Sequence, residues 1–540
     1  MSTIMNKALC NGCRCLVPAT PQQRNNDVFL VKHCPRCGPN ETLISSDARR
    51  YYAKRAIDSG YEYAGCALNC LTCRHSRLPS TVFVDVTNRC NMNCPICLNN
   101  TPSMGFRFDP PIEYFHQIFR RLSAYDPRPA VQLFGGEPTM REDLSDIIAL
   151  AKAHGLRTRV VTNGIKLADE EYCRRLVDTG TILLISYDGN DHKTYTTLRG
   201  SNHFIDLKQK AIENVARLRR SKVGLISCIA KDLNGHQMQE ILEFCHRHRY
   251  LIHRILLMPL AQTWDTSRWD YRPPRTTTED IENLVAEALP GYEVDFLPAG
   301  FVGQFSAVLR YLRREPPPWA GAHANCESTC LLVSDGQKYI PIGHYLRGST
   351  YEFGKAFHQL DQRLAARERK WENASLACLL ASLRFQRAML RLVGLAEIAL
   401  FFAQRIRFGR LLKGRGLTKL AHAMLLPLEL SLGCRTRRVL ERHTNVQGQL
   451  QLVTLPFEDS QVLETDRLER CPSQHAYFNP WTDQVGLVPL CAWNQHKSTI
   501  LRKVAEYYDD ASKEHVSAPA RPSSAELVLA EIRATERPTT

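Results

Sequence analysis

The residues with the clearest chemical potential are three cysteines that follow an apolar run, in the sequence VFVDVTNRCNMNCPIC. Cys90, Cys94 and Cys97 form a CxxxCxxC pattern. Three thiolates at this spacing can bind three irons of a [4Fe-4S] cluster and leave the fourth iron without a protein ligand. A zinc knuckle is the alternative, but zinc sites more often combine two CxxC pairs. The pattern therefore favours an iron–sulfur cluster with one iron open to a cofactor or substrate.

A second triplet with the same spacing lies ahead of the first, in the sequence GCALNCLTC, and consists of Cys66, Cys70 and Cys73. We expect it to contribute to an auxiliary cluster, with a structural zinc site as the alternative. Later candidate ligands for one or two auxiliary clusters are Cys326, Cys330, Cys471 and Cys491. These seven cysteines are one short of the number that two four-thiolate clusters need. One auxiliary site would therefore use another ligand or keep an open iron.

The first 50 residues contain two CxxC pairs separated by 20 residues, formed by Cys10, Cys13, Cys34 and Cys37. This spacing is typical of a tetrahedral four-thiolate site in a small ribbon, as in rubredoxins and zinc ribbons. Iron and zinc both accept this tetrahedron. The sequence therefore predicts a mononuclear metal site here and leaves the choice between iron and zinc open.

The elements that must position the first triplet alternate between strand and helix. We expect strands at 81–86, 130–134, 158–162, 182–187, 223–229 and 253–258. Helical periodicity fills the gaps at 112–123, 141–154, 169–179, 206–220 and 235–248. This order predicts an α/β fold with a partial (βα)6 barrel, in which chemistry takes place at the carboxyl ends of the strands.

A second motif, LFGGEP, places Gly135, Gly136 and Glu137 at the end of the second strand. Together with the cysteine loop it resembles the radical S-adenosylmethionine (SAM) superfamily. In that superfamily the open iron binds the amino and carboxylate groups of SAM, and one-electron reduction cleaves SAM to methionine and a 5'-deoxyadenosyl radical. The resemblance implies that the two glycines let the backbone approach the methionine moiety, and that Glu137 accepts a hydrogen bond from its ammonium group.

The same resemblance implies roles for polar residues that follow the later strands. Ser186 and Asp188 match positions that hold the ribose hydroxyls of SAM, and Arg199 matches one that pairs with a carboxylate. Their simpler interpretations are ordinary loop polarity and a surface arginine. Thr162 and Asn163 end the third strand and face the same mouth of the barrel, although the Asn-Gly pair here could equally form a turn.

The order of the motifs resembles the tetraether lipid synthase group within this superfamily. The shared features are the ribbon, the second triplet ahead of the first, a DFLP stretch at 295–298 and a terminal RC…VPLCAWN, and they span about 8–345 and 465–495. The resemblance implies auxiliary clusters, a low-potential electron donor such as ferredoxin or flavodoxin, and C–C coupling on lipid chains. Related members are linked to methylation of a pterin cofactor. Closer spacing of the cysteines before residue 330 departs from the pattern and leaves the auxiliary ligand set open.

Positive charge is concentrated in one late segment. Residues 384–442 contain thirteen Arg and Lys against three Glu, in a chain with a net charge of +15. Between 376 and 433, leucine-rich turns alternate with basic ones, which favours a helix at a membrane interface. A pair of helices that binds a partner protein is the second interpretation. A nucleic-acid surface is the third, and we expect none because aromatic residues are not interleaved with the basic ones.

The expected organisation follows the cysteine and charge patterns. The predicted regions are a ribbon at 1–50, an auxiliary-cluster segment at 51–79, the barrel at 80–265, a linker and auxiliary-cluster region at 266–350, a basic helical insertion at 351–445, a second auxiliary-cluster region at 446–510 and a disordered tail at 511–540. No apolar run precedes the first cysteine pair, and no stretch reaches the roughly 18 apolar residues that a spanning helix needs. We therefore expect a reducing, cytoplasmic setting with peripheral contact at the inner membrane surface.

The expected function is radical SAM catalysis that abstracts hydrogen from an unactivated carbon, on a lipid chain or another small molecule. One rival is a maturase or methylase that acts on a peptide or pterin with the same radical chemistry. A rival of another class is a zinc-stabilised protein that binds nucleic acid and catalyses nothing. Iron content separates the last rival from the first two interpretations.

Overall fold

The computed structural model describes residues 5–58, 63–73, 75, 77–218, 222–263, 269–314, 321–377, 383–434 and 436–515 of the chain. Most of the predicted disordered tail lies outside these described residues. Among the helices that the structure describes, none combines the length and the apolar character that crossing a membrane requires.

The amino-terminal ribbon is an antiparallel four-stranded sheet in chain order, followed by one helix. Its elements are β1 (Lys7–Leu9), β2 (Leu16–Arg24), β3 (Asp27–Cys34), β4 (Gly38–Ser45) and α1 (Ala48–Arg55). Asn25 adopts a φ of 53° in the tight turn between β2 and β3, a conformation that asparagine tolerates well. The ribbon is tied to the rest of the molecule by Lys54, whose buried ammonium lies 2.6 Å from Glu279 and 2.8 Å from Glu282.

The predicted barrel strands and helices are present, and each strand ends within one residue of its expected position. The strands are β5 (Thr81–Thr87), β6 (Ala130–Gly135), β7 (Arg157–Thr162), β8 (Ile182–Ser186), β9 (Val223–Ile229) and β10 (Ile252–Pro259). The helices are α2 (Ile112–Ser123), α3 (Leu144–Ala153), α4 (Glu170–Asp178), α5 (His192–Arg199), α6 (Phe204–Leu218), α7 (Lys231–Asn234) and α8 (Met238–Arg247). The six strands are parallel and adjacent in chain order, which confirms the predicted fold class.

The remainder of the described chain is mainly helical. Its elements are α9 (Thr278–Glu287), β11 (Leu297–Pro298), α10 (Ser306–Tyr311), β12 (Ser328–Ser334), β13 (Tyr339–Pro341), α11 (Thr350–Ala377), α12 (Leu383–Arg405), α13 (Phe408–Leu411), α14 (Gly416–Ser431), α15 (Thr436–His443), β14 (Gly448–Thr454), α16 (Thr465–Glu469), β15 (Ser473–Asn479), β16 (Gln484–Pro489) and α17 (Leu490–His515).

Two of these late strands extend the parallel part of the barrel sheet. Strand β14 pairs in parallel with β10, and β15 pairs in parallel with β5, so one late strand flanks each side of the six predicted strands. Strands β12 and β16 continue the sheet with antiparallel pairs. Residues from far along the chain therefore reach the same rim as the cysteine loop.

Side-chain alternation separates the core from the barrel interior. On β5, Val82, Val84 and Val86 are fully buried in the core that the strands share with the covering helices. Phe83 points the other way and lines the interior, because successive side chains of a strand face opposite sides of the sheet. This arrangement leaves an interior space that opens at the carboxyl ends of the strands.

Candidate functional site

A cavity of about 240 Å³ lies at the carboxyl ends of β5 to β10, and each of these strands or the loop after it contributes to the lining. The structure brings most of the predicted site residues to this cavity. The predicted residues that line it are Cys90, Cys94, Cys97, Gly135, Gly136, Glu137, Thr162, Asn163, Ser186 and Arg199. The site therefore lies where parallel α/β folds place their chemistry.

The cysteine loop that follows β5 presents three thiols to the cavity. Met92 donates a backbone hydrogen bond to the Cys90 sulfur at 3.4 Å, and Cys97 donates one to the Cys94 carbonyl at 3.2 Å. Burial raises the pKa of Cys90 to about 12 and also raises the pKa of Cys94. These thiols need a nearby cation to become thiolates at neutral pH, and iron supplies that charge. Three soft donors on one loop beside an open space fit a cluster with three protein ligands.

The two glycines of the GGE motif bring the end of β6 against the start of the cysteine loop. The amide of Gly136 donates to the Thr87 carbonyl at 2.7 Å, and the amide of Glu137 donates to the Arg89 carbonyl at 2.8 Å. A Cβ on Gly135 would lie 2.2 Å from the Thr87 oxygen, and one on Gly136 would lie 2.2 Å from the Arg89 oxygen. The glycines thus allow the end of β6 to approach the backbone of Thr87 and Arg89 closely. Their contact with SAM stays a prediction.

Four groups of the chain donate hydrogen bonds to the buried carboxylate of Glu137. Its Oε1 accepts from the Thr139 amide at 3.1 Å, the Thr139 hydroxyl at 2.6 Å and the Thr162 hydroxyl at 2.7 Å. Its Oε2 accepts from the Asn163 amide at 2.6 Å. Because a carboxylate offers about four lone-pair sites, this set holds the end of β7 firmly against β6. The role of Glu137 as an acceptor for the SAM ammonium stays a prediction.

Lys208 is a site residue that sequence reasoning missed. Its fully buried ammonium donates to the Asn163 carbonyl at 2.7 Å, the Ser186 carbonyl at 2.8 Å and the Ser186 hydroxyl oxygen at 2.6 Å. Burial lowers the pKa of Lys208 to about 8. In the sequence it is one of two lysines on an amphipathic helix, and nothing in that pattern distinguishes it. The lysine joins the ends of β7 and β8 at the cavity wall.

Arg199 and Asp188 form a bidentate ion pair behind the wall of the cavity. Their atoms are 2.8 Å apart from Nε to Oδ2 and 3.0 Å apart from Nη2 to Oδ1. Asp188 is fully buried, and its Oδ1 also accepts from the Cys228 amide at 2.8 Å. Burial lowers the pKa of Arg199, but the charge and hydrogen bonds of Asp188 together with the nearby Cys94 and Cys228 raise it above its ordinary value. The structure thus pairs the two predicted SAM-binding residues with each other, and only Arg199 reaches the cavity.

The part of the cavity beyond these polar groups is apolar. Its lining comes from strand interiors and from two late segments of the chain, and consists of Phe83, Phe134, Ile226, Leu256, Met258, Leu260, Leu455, Pro456, Phe457 and Leu490. Two polar side chains that sequence reasoning missed, Asn99 and Gln132, also line the cavity. The lining is therefore mainly apolar, and most of its polar side chains lie at the carboxyl ends of the strands beside the cysteines.

The four predicted ribbon cysteines meet as one site. Cys10, Cys13, Cys34 and Cys37 have sulfur atoms that all lie within 4.8 Å of one another. A single tetrahedral metal ion fits four thiolates at such separations. The backbone amide of Cys13 lowers the pKa of Cys10 to about 6, although burial opposes this shift. The structure thus fits the predicted mononuclear iron or zinc site.

The structure places three of the late cysteines near one another and a fourth elsewhere. The pKa of Cys491 is raised first by burial, then by Glu458, and then by the thiols of Cys471 and Cys326. These three cysteines therefore lie near one another. Cys330 lies instead on β12, where burial and then Asp295 raise the pKa of its thiol.

The second triplet lies against the segment that contains Cys471. The pKa of Cys70 is raised mainly by burial and further by the thiols of Cys66, Cys73 and Cys471. The ring of His75 contacts the Cys471 carbonyl at 3.2 Å. Cys471 therefore lies between the triplet and the other late cysteines, and the division of ligands between auxiliary sites stays a prediction.

A parallel partial barrel with a three-cysteine loop beside an open cavity defines an iron–sulfur enzyme of the radical SAM type. The Radical SAM superfamily model matches residues 84–245, and the chain belongs to this superfamily. The model of the HMPTM N-terminal zinc ribbon domain matches residues 5–46. Membership confirms the predicted dependence on [4Fe-4S] chemistry and SAM.

Curated relatives include enzymes with different substrates. The chain is 30% identical over 354 residues to the 7,8-dihydro-6-hydroxymethylpterin dimethyltransferase of Methanocaldococcus jannaschii. This alignment covers 63% of this chain and 70% of that protein. It is 29% identical over 196 residues to the Fe-coproporphyrin III synthase of Methanosarcina barkeri, covering 36% of this chain and 45% of that protein. Among solved structures, Streptococcus suis SuiB bound to S-adenosylmethionine aligns with a TM-score of 0.34 and 18% identity over 39% of this chain and 47% of that chain.

Replacement of Lys208 by methionine is expected to weaken SAM binding more than it slows SAM cleavage. The change removes the donor that fixes the Asn163 and Ser186 carbonyls at the cavity wall, so groups that would contact SAM lose their positions and KM for SAM should rise about tenfold, equivalent to about 1.4 kcal/mol of binding free energy. Steady-state 5'-deoxyadenosine production at varied SAM concentration measures both constants. Lys210→Met, an exposed change on the same helix, should match the wild type. An unchanged KM for SAM in Lys208→Met would contradict a role for Lys208 at the SAM site.

Proposed function

We propose that the protein abstracts a hydrogen atom from an unactivated carbon of a lipid chain, as a step towards C–C bond formation. The observation that carries the proposal is the mainly apolar lining of a cavity that Cys90, Cys94 and Cys97 border. Bound SAM, on one-electron reduction at the cluster, supplies the 5'-deoxyadenosyl radical. An apolar chain in the remaining space would present its C–H bonds to that radical.

The residues of this chain hold and shield the reactants. Asn163 and Ser186, fixed by Lys208, offer hydrogen bonds to the polar groups of SAM, while the charge of Arg199 lies beside Cys94. The apolar wall excludes water, which prevents side reactions of a reactive intermediate. The auxiliary cysteines would hold clusters that exchange single electrons with a substrate radical.

The proposal includes two kinds of partner. A low-potential donor such as ferredoxin or flavodoxin would reduce the cluster, and the basic helical segment at 384–442 would contact the inner membrane surface. Peripheral contact of this kind would let the enzyme take up a lipid substrate directly from the membrane surface.

A second candidate function is methylation of a pterin. It is favoured by the 30% identity over 354 residues to a pterin dimethyltransferase. A pterin ring needs several directed hydrogen bonds, which Asn99 and Gln132 in the cavity lining could supply. The apolar remainder of the lining is better suited to a hydrocarbon chain.

Isotope transfer separates the two candidates. The reconstituted, reduced enzyme would be given SAM with either a phospholipid that carries deuterated acyl chains or 6-hydroxymethyl-7,8-dihydropterin. We expect deuterium in the 5'-deoxyadenosine from the lipid reaction, measured by mass spectrometry, and no turnover of the pterin. Leu256→Asp, which places a charge in the apolar wall, should abolish this transfer but retain uncoupled SAM cleavage. Methylated pterin without deuterium transfer would overturn the lipid proposal in favour of the second candidate.

A further inference from the structure

The exposed large apolar side chains of the described residues are concentrated in one region. Ten of the seventeen belong to the helices between residues 383 and 432. They are Met389, Leu392, Val393, Leu400, Leu417, Leu420, Met424, Leu425, Leu428 and Leu432. Exposed apolar side chains gathered in one region mark an interaction site more often than scattered exposed leucines do.

Helix α14 has its apolar face towards solvent. Leu417, Leu420, Met424 and Leu428 follow one another at three- or four-residue spacing, so they share one side of the helix. Leu417 is 85% exposed and Met424 is 68% exposed. A surface helix of a water-soluble protein normally turns such a stripe inward. We call this stripe, together with the adjacent Leu425, the α14 face.

The polar side of the same helix contacts the protein instead. The ammonium of Lys419 donates to the Gly409 carbonyl of α13 at 2.6 Å, and the ring of His422 contacts that of His443 on α15 at 2.9 Å. Glu429 accepts from Arg442 of α15 at 2.8 Å. These bonds fix the rotation of the helix, so the outward direction of the α14 face is built into the packing.

Basic residues flank the α14 face along the chain. They come from the residue before the helix, the helix itself and the two helices it contacts, and are Arg410, Arg415, Lys419, Arg438 and Arg442. Two of the three acidic residues of 384–442 are neutralised by arginines: Glu397 by Arg363 and Arg367, and Glu429 by Arg442. The region therefore combines an outward apolar stripe with an excess of positive charge.

We propose that the α14 face docks on an anionic lipid surface, with its leucines in the acyl boundary and the exposed side chains of Arg415 and Arg438 at the headgroups. An interfacial helix gains about 1 kcal/mol per basic residue near an anionic surface, in addition to the burial of its apolar face. A second copy of the chain is a poorer occupant, because two positively charged surfaces would repel each other. The inference rests on the proposed function only in its choice of lipid as the occupant.

Vesicle flotation of the full chain tests the proposal. Wild-type protein should float with vesicles that contain phosphatidylglycerol, bind at least tenfold less to pure phosphatidylcholine and dissociate at high salt. The variant Leu417→Ser, Leu420→Ser, Met424→Ser, Leu428→Ser should lose at least tenfold in partitioning. Tyr250→Ser, a change at a 61% exposed side chain elsewhere, should bind like the wild type. Circular dichroism should show the same overall helix content in each variant as in the wild type.

Three results would overturn the docking proposal: unchanged binding by the fourfold variant, equal binding to neutral and anionic vesicles, or a wild-type dimer that the fourfold variant dissolves. The assay needs neither SAM nor reduced cluster, so it is independent of turnover. Hydrogen abstraction from lipid dispersed in detergent should persist in the fourfold variant. Loss of vesicle binding with retained turnover supports docking, whereas absence of lipid turnover in the wild type contradicts the proposed function alone.

Discussion

Replacement of Cys94 by alanine is expected to reduce 5'-deoxyadenosine production by more than about 100-fold. Changes behind the ligands of a metal site already cost about 10–100-fold, and this change removes one of only three ligands. Cys94 also lies beside the Arg199 guanidinium, which lowers the pKa of its thiol against the effect of burial. Iron and sulfide content after anaerobic reconstitution should fall by the equivalent of one cluster. Product formation is measured by chromatography under reducing conditions.

Two further cysteine variants make this result specific. Cys173→Ala removes a buried thiol on α4, away from the cavity lining, and should keep both iron and activity. Cys70→Ala should lose iron from an auxiliary site but still cleave SAM without substrate. If Cys94→Ala cleaves SAM and Cys70→Ala does not, the active cluster lies at the second triplet, and the assignment to the loop after β5 is wrong.

The barrel strands could be predicted because they are short apolar runs bounded by turn residues. Strand β5, with the sequence TVFVDVT, is buried at every position, as expected for a parallel strand with both faces covered. Strand β15, SQHAYFN, has no such run, although it pairs in parallel with β5. Its partner lies almost 400 residues earlier in the chain, and local patterns carry no information about a pairing at that distance.

The composition of the site could be predicted better than its internal contacts. Spacing and strand position identified the cysteines and the GGE motif as neighbours, because the carboxyl ends of parallel strands meet at one rim. The partners within the site depend on side-chain directions that appear only in three dimensions. Asp188 is turned away from the cavity towards Arg199, and Lys208 reaches two strand ends from a helix.

The direction of the α14 face illustrates the same limit in a surface helix. A leucine-rich helix with basic neighbours is compatible with an apolar face that points inward or outward. The outward direction follows from the contacts of Lys419, His422 and Glu429 with α13 and α15. The membrane interpretation of this segment therefore depends on tertiary contacts that charge counting does not reveal.

Replacement of Arg199 by methionine is expected to lower the free energy of unfolding by about 3–5 kcal/mol. The change leaves Asp188, which is fully buried, as an uncompensated charge, and breaking one side of a buried ion pair has a cost of about this size. The double variant Arg199→Met, Asp188→Asn should recover much of the loss, because the remaining polar group carries no charge. Arg175→Met removes an exposed pair with Glu171 and should cost less than about 1 kcal/mol.

Chemical denaturation of the reconstituted variants, combined with SAM titration, decides what Arg199 does. If its main partner is Asp188, stability and SAM affinity fall together in Arg199→Met, and both return towards wild type in the double variant. If it pairs instead with the carboxylate of SAM, affinity falls while stability changes by less than about 1 kcal/mol, and Asp188→Asn does not restore it. Two hydrogen bonds of 2.8 and 3.0 Å between the arginine and the aspartate favour the first outcome, in which the cavity wall is held by an internal ion pair.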